Sequence, residues 1–335
     1  MKQTLLLFAL ALTAFALPPK KKITVYLIGD STMCEYEANR APLTGWGMPF
    51  RYFFDSSVTI DNRAKGGRST RTFLSENRWQ PIVAGLQEGD YVLMQFGHND
   101  EAKEEKYKDR YTPVPDYKKN LVKFITETRA RKANPVIITP VSRMRFENGK
   151  AQETHTDYTV ACYEVARHYG VPLIDLDRKS RDLYNLLGPE QTKLLFMQLA
   201  PVENPAYPEG QKDNTHFNAY GARRIAELVL QGMKENGLEL VEHINGWPDA
   251  APSTTGLTAT ADTSYTNFSA FRGTSKAVPT ARMVEMKATK DVVEKRNLIY
   301  CRDNNRLLAL DVFTPAAKAK TKRAAIMIIH GGGWR

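Results

Sequence analysis

Cysteine is scarce: Cys34, Cys162 and Cys301 are the only three in 335 residues. Three thiols are too few for the disulfide framework of small secreted domains. One bridge at most is available, and the sequence does not say between which pair. Long apolar runs are scarce as well. The run TLLLFALALTAFA (4–16) follows Lys2 and ends in Ala14-Phe15-Ala16. It is short for a bilayer span. A positive start, an apolar stretch and an Ala-x-Ala site make residues 1–16 a secretory signal peptide. No cysteine follows the cleavage site, so a lipoprotein anchor is not expected. The mature chain is expected to be secreted or periplasmic, with no membrane anchor. A basic stripe is also missing. The net charge of +10 comes mostly from residues 246–335, which hold 14 Lys/Arg against 7 Asp/Glu, whereas residues 1–245 hold 33 against 30. No basic stripe with interleaved aromatics is seen, so nucleic acid is not an expected partner.

What is present reads as an ordinary globular composition, 42% hydrophobic and 25% charged, long enough for about two domains of ~150 residues. Short β-rich apolar runs recur at 23–28 (ITVYLI), 57–62 (SVTIDN), 90–96 (DYVLMQF), 134–140 (NPVIITP) and 171–176 (VPLIDL). Between and after them lie helical spacings at 116–132, 153–169 and 218–234. In the first of these Tyr117, Leu121, Phe124 and Ile125 share a face, and Asn218 is placed to cap the last. Buried strands alternating with helices predict an α/β fold with a parallel sheet covered on both faces. Ligands bind such sheets beyond the carboxyl ends of the strands.

The residues at those ends are polar and punctuated by glycine. GDST (29–32) follows the first strand, NRAKGGRST (62–70) the second and GHND (97–100) the third, and DNTHF (213–217) precedes the last helix. Each is a common turn sequence alone; four in this order are far more specific. Ser31 is a weak nucleophile that needs a base. His216 can be that base, held by Asp213 three residues earlier within one short loop. The oxyanion formed on attack needs fixed donors. The backbone N–H of Ser31, the N–H of Gly67 and the side-chain amide of Asn99 can supply them.

These residues carry a resemblance. Ser31, Gly67, Asn99 and His216 match the four blocks of the SGNH (GDSL-type) hydrolases. YLIGDSTM, GWG (45–47), AKGGRSTRTF, QFGHND and DNTHFNAYGA resemble the rhamnogalacturonan acetylesterase branch, over roughly 22–244. The resemblance implies a flavodoxin-like α/β/α sandwich and a metal-free Ser-His-Asp esterase with no cofactor. It also implies removal of acetyl groups from pectic rhamnogalacturonan. Of the two glycines in KGG, the register of the family selects Gly67. Related esterases deacetylate other glycans such as xylan, and a non-catalytic glycan-binding module on the same fold is the reading from a different class.

Other residues have plainer uses. His98 is expected to organise its loop, and His155, His168 and His243 to lie at the surface. Cys34 is expected to be packed. Asp30, Asp100, Asp213 and His216 carry the ligand types of a metal site, but their Asn-Gly-Ser setting suits an oxyanion hole better. Arg68 and Arg71 can either pair a galacturonate carboxylate or brace the loop against Asp61 or Asp100. Trp46, Phe73 and Trp79 among polar neighbours suit a sugar better than a long acyl chain.

From 246 the composition turns to Ser, Thr, Ala, Gly and Pro, and 245–290 reads as a linker. NLIYCRD, RLLALDVFTP and RAAIMIIHGGGWR then read as three strands. His330-Gly331-Gly332-Gly333-Trp334 resembles the oxyanion loop of α/β-hydrolase esterases, but no Gly-x-Ser-x-Gly nucleophile motif occurs in the chain. Residues 291–335 are read as a β-rich fragment, the truncated start of a second such domain. Its strands bury too little to fold alone, and His330 is not expected to be catalytic.

Overall fold

The computed structural model describes residues 22–245, 292–303 and 306–315. The signal-peptide segment, most of the linker and the 330–334 loop lie outside these.

Five parallel strands form the central sheet: β1 (Ile23–Gly29), β2 (Val58–Asn62), β3 (Tyr91–Gln95), β4 (Asn134–Ile138) and β5 (Leu173–Ile174), in the order β2-β1-β3-β4-β5. This is the flavodoxin-like order. Alternate residues of each strand feed opposite cores. Val25, Leu27, Leu93, Val136 and Ile138 belong to one cluster, and Tyr26, Ile28, Val92, Met94 and Ile137 to the other. Both faces of β1, β3 and β4 are buried, which is why these strands read as continuous apolar runs rather than as alternation.

Helices α1 (Thr70–Ser75), α2 (Gln80–Gly85), α3 (Val114–Ala130) and α4 (Thr156–Tyr169) bring Phe73, Ile82, Phe124 and Val165 to the second cluster. Helices α5 (Leu176–Thr192) and α6 (Ala219–Glu235) bring Leu183, Tyr184, Ile225 and Val229 to the first. The result is an α/β/α sandwich.

Between α5 and α6 lies an antiparallel pair, β6 (Phe196–Leu199) and β7 (Gln211–Phe217). Residues 213–217 are therefore strand, not the short loop the sequence suggests. Trp46, Phe73 and Trp79 are fully buried in the two cores, so they do not face a ligand as expected. Cys34 and Cys162 are buried free thiols. In the C-terminal part, β8 (Val292–Asp303) and β9 (Arg306–Pro315) pair as an antiparallel hairpin, which accounts for two of the three strands read there.

Candidate active site

The strand order places the three glycine-punctuated turns along one sheet edge. The turn after β1 is tight because Gly29 lies against β3: a Cβ on it would stand 2.5 Å from the Gln95 carbonyl oxygen. Beyond it, Asp30 is completely buried. Its Oδ1 accepts the Thr32 N–H (2.9 Å) and hydroxyl (2.8 Å), and its backbone carbonyl accepts the N–H of Cys34 (3.1 Å). Gln95 Nε2 donates to Thr32 Oγ1 (2.6 Å), and Trp46 Nε1 donates to Gln95 Oε1 (2.8 Å). The turn that presents Ser31 thus hangs on a chain of buried hydrogen bonds running into the core.

Ser31 Oγ lies 2.8 Å from His216 Nε2, and His216 Nδ1 lies 2.7 Å from Asp213 Oδ2. The other Asp213 oxygen accepts the backbone N–H of Thr215 (2.7 Å) and of His216 (3.0 Å). Burial pushes the Asp213 carboxyl up, but the hydrogen bond and charge of His216 and the two amides outweigh it, and the group ends below its ordinary range. A fixed carboxylate, an imidazole and a hydroxyl in hydrogen-bonded series can draw the proton from serine and stabilise the imidazolium that results.

The oxyanion candidates surround the hydroxyl. Gly66 and Gly67 both line the cleft with Ser31, and two features separate them. The Gly66 N–H offsets part of the rise that burial imposes on the Cys34 thiol. Gly67 has φ +79°, a conformation side chains rarely adopt, and its N–H has no protein acceptor among the described residues, nor has that of Ser31. Asn99 is buried, and Nδ2 donates to the Arg68 carbonyl (3.0 Å), which fixes its amide plane.

Arg68 itself is not among the residues that line this cleft. Its Nε pairs with Glu76 Oε2 (3.0 Å) and its Nη1 donates to the Gly66 carbonyl (2.8 Å). Arg71 Nη1 reaches the Tyr111 carbonyl (3.3 Å). Both brace loops, through partners other than Asp61 and Asp100. Asp30, Asp100 and Asp213 have separate partners, and no group of three or more potential metal ligands occurs among the described residues.

The cleft measures about 1090 Å³ and is lined mostly by polar side chains, among them Glu101, Lys103, Tyr107, Arg110, Arg143, His155 and Thr215. None of these was legible as a site residue. His155 is buried rather than at the surface; its ring lies 4.2 Å from that of His98, and its Nδ1 is 2.8 Å from Glu101 Oε2. Arg143 joins Glu101 (2.8 Å) to Thr215 Oγ1 (2.8 Å), next to His216. His98 Nδ1 lies 3.2 Å from Asp30 Oδ2. Burial first, then His155, push His98 down to about 4 against the pull of Asp30, so it is neutral at working pH. Asp100 is pushed up to about 7 by burial, against the hydrogen bonds of Thr70.

Residues 27–224 match the GDSL-like lipase/acylhydrolase family. The chain belongs to that family. Among curated proteins it is 43% identical over 227 residues to the rhamnogalacturonan acetylesterase RhgT of Bacillus subtilis, a match that covers 67% of this chain and 95% of that one. It is 31% identical over 255 residues to a rhamnogalacturonan acetylesterase of Emericella nidulans, covering 69% and 94%. Among solved structures, the Bacillus subtilis YxiM protein superposes with a TM-score of 0.57 at 27% identity, over 66% of this chain and 58% of that one. As a member of the family the chain is an ester hydrolase.

Proposed function

We propose that the protein is a secreted or periplasmic carbohydrate acetylesterase that removes acetyl groups from a plant cell-wall polysaccharide, pectic rhamnogalacturonan first among them. The observation that carries the reading is the hydrogen-bonded series Asp213–His216–Ser31 opening on a polar cleft. His216 Nε2 takes the hydroxyl proton as Ser31 Oγ bonds to the acetyl carbon. Asp213 stabilises the imidazolium. The negative oxygen is met by the N–H groups of Ser31 and Gly67 and by the Asn99 amide. Collapse breaks the bond to the sugar oxygen, which leaves with the proton from His216. Water then attacks acetyl-Ser31 with the same base, releasing acetate. No cofactor takes part. The polar lining favours a hydroxyl-rich substrate over a long acyl chain, and the names of two relatives point to rhamnogalacturonan. Export rests on the signal-like residues 1–16.

The test is mass-spectrometric acetate release from acetylated rhamnogalacturonan and acetylated xylan oligosaccharides, with Ser31→Ala as the control. Release from rhamnogalacturonan above xylan is expected. Release from xylan alone redirects the substrate, and binding of both without release makes the protein a glycan-binding module.

A further inference from the structure

Two arginines line the cleft, and they differ in what neutralises them. Arg143 is committed to Glu101 and Thr215, at 2.8 Å each. Arg110 has no acidic partner among the described residues, and its Nε is buried without any hydrogen-bond partner. Its guanidinium carbon lies 3.7 Å over the centre of the Tyr107 ring. The same ring carries Lys106 Nζ at 4.6 Å. Arg110 also stands beside the oxyanion loop: a Cβ on Gly67 would lie 3.7 Å from its Nη1.

A half-buried cation without a counter-charge costs stability unless something offsets it. Stacking on Tyr107 offsets part and fixes the guanidinium plane. It leaves the charge unneutralised and the terminal nitrogens available at the cleft wall. A planar fork held in this way fits a carboxylate, which it can grip by two parallel hydrogen bonds.

We propose that Arg110, held flat on Tyr107, forms a carboxylate subsite beside the acyl site and selects substrates in which an acidic sugar adjoins the acetylated position. The subsite rests on the esterase reading above. It explains how a cleft of general polar character discriminates between an acidic polymer and a neutral one: a neutral glycan leaves the Arg110 charge uncompensated.

The experiment compares kcat/KM for a partially acetylated oligouronide with that for its carboxyl-reduced counterpart, in the wild type, Arg110→Gln, Arg110→Lys and Lys108→Gln. The wild type is expected to prefer the acidic form roughly 10- to 100-fold, the range of a charge-assisted pair. Arg110→Gln brings the ratio close to one, mainly through KM. Arg110→Lys, which keeps the charge and loses the fork, retains part of the preference. Lys108→Gln removes the same charge from an exposed pair with Glu105 and keeps the wild-type ratio. Each ratio is taken within one protein, so partial misfolding cancels. A ratio unchanged by Arg110→Gln overturns the proposal. If the wild type deacetylates neither oligosaccharide, the substrate reading fails, and inhibition of 4-nitrophenyl acetate hydrolysis by the unacetylated oligouronide decides the subsite. Weaker inhibition of Arg110→Gln supports it, and equal inhibition overturns it.

Discussion

At the scale of single residues, the proposed roles separate by magnitude. Ser31→Ala removes the atom that bonds to the acetyl carbon, and kcat is expected to fall roughly 10⁴- to 10⁶-fold with an unchanged circular dichroism spectrum. A variant that kept a tenth of the activity would end the assignment. Asp213 is held below the ordinary carboxylate range, so it is charged wherever the enzyme works. Asp213→Asn should cost about 10⁴-fold, because the amide cannot stabilise the imidazolium. Asn99→Ala should cost about 10²–10³-fold as one donor of three. Ser31 and Asn99 were readable because each follows a strand end in a turn sequence, and Asp213 and His216 because their three-residue spacing pairs a carboxylate with an imidazole. The groups packed beneath them were not. His98 and Asp100 sit in the same GHND turn, but their burial depends on α1, α3 and α4 closing over it, which no local pattern encodes. Their titrations act on stability in opposite senses. His98 falls from 6.5 to about 4 on folding, so it contributes stability that is present above pH 6.5 and lost as pH drops toward 4. Asp100 rises from 3.8 to about 7, so its contribution is present below pH 4 and lost as pH climbs toward 7. Between pH 4 and 6.5 the two slopes oppose, each at most ~1.4 kcal/mol per pH unit. Asp100→Asn should leave a stability that rises across that interval, and His98→Asn one that falls. Urea midpoints at pH 4.5 and 6.5 read the sign, and the same slope in both variants would refute the pairing.

At the scale of elements, the sheet was legible and the segment carrying the base was not. Strands β1, β3 and β4 are largely buried apolar runs, so composition alone marks them, whereas β2 is half-buried and carries Thr59, Asp61 and Asn62. Only Leu173 and Ile174 of 171–176 pair, because β5 is the edge strand and meets β4 alone. Helix α5 escaped notice. Its buried face includes Asp177, Lys179 and Ser180, kept inside by Arg181 (2.7 Å), Glu235 (2.6 Å) and the backbone, so the apolar period is broken. Gly188 and Pro189 near its end also read as a stop. Strand β7 alternates half-buried and exposed residues, and its register against β6 carries a shift, which leaves a weak signal. What secures that register is the cap of α6. Asn218 Oδ1 accepts the Gly221 N–H (2.9 Å), while Nδ2 donates to the carbonyls of Leu194 (2.8 Å) and Phe196 (3.1 Å). One side chain starts the helix and ties β7 to the chain entering β6, two residues after His216. Asn218→Ser keeps the cap and loses the ties; Asn218→Ala loses both. The alanine variant should be destabilised by about 1–3 kcal/mol. The serine variant should lie between it and the wild type in stability but share its loss of kcat. A serine variant with full kcat would show that the cap, not the tie to β6, positions the base.

At the scale of the whole molecule, every group assigned to catalysis and to the carboxylate subsite lies between Ser31 and His216. The match to RhgT accounts for 95% of that protein with 227 residues, 67% of this chain. Residues 243–245 are bound to the sandwich. Asp55 N–H donates to the His243 carbonyl (2.8 Å), Asn245 N–H to the Phe53 carbonyl (2.8 Å), and the His243 ring lies 2.7 Å from Ser57 Oγ. These contacts close the edge beside β2, and Leu240 is buried beneath them. A chain ending at Ile244 would give up the Asn245 contact, so the natural place to end it is just beyond Asn245. In the β8–β9 hairpin Val292, Val293 and Phe313 are exposed, and exposed apolar side chains favour association with other molecules. A protein comprising residues 17–247 is therefore expected to keep the specific activity of the full chain on 4-nitrophenyl acetate and on the acetylated oligosaccharides. It should also elute as a sharper species in size exclusion. Loss of activity with a native circular dichroism spectrum would mean that the C-terminal part completes the site. Loss of the spectrum as well would mean that it completes the fold.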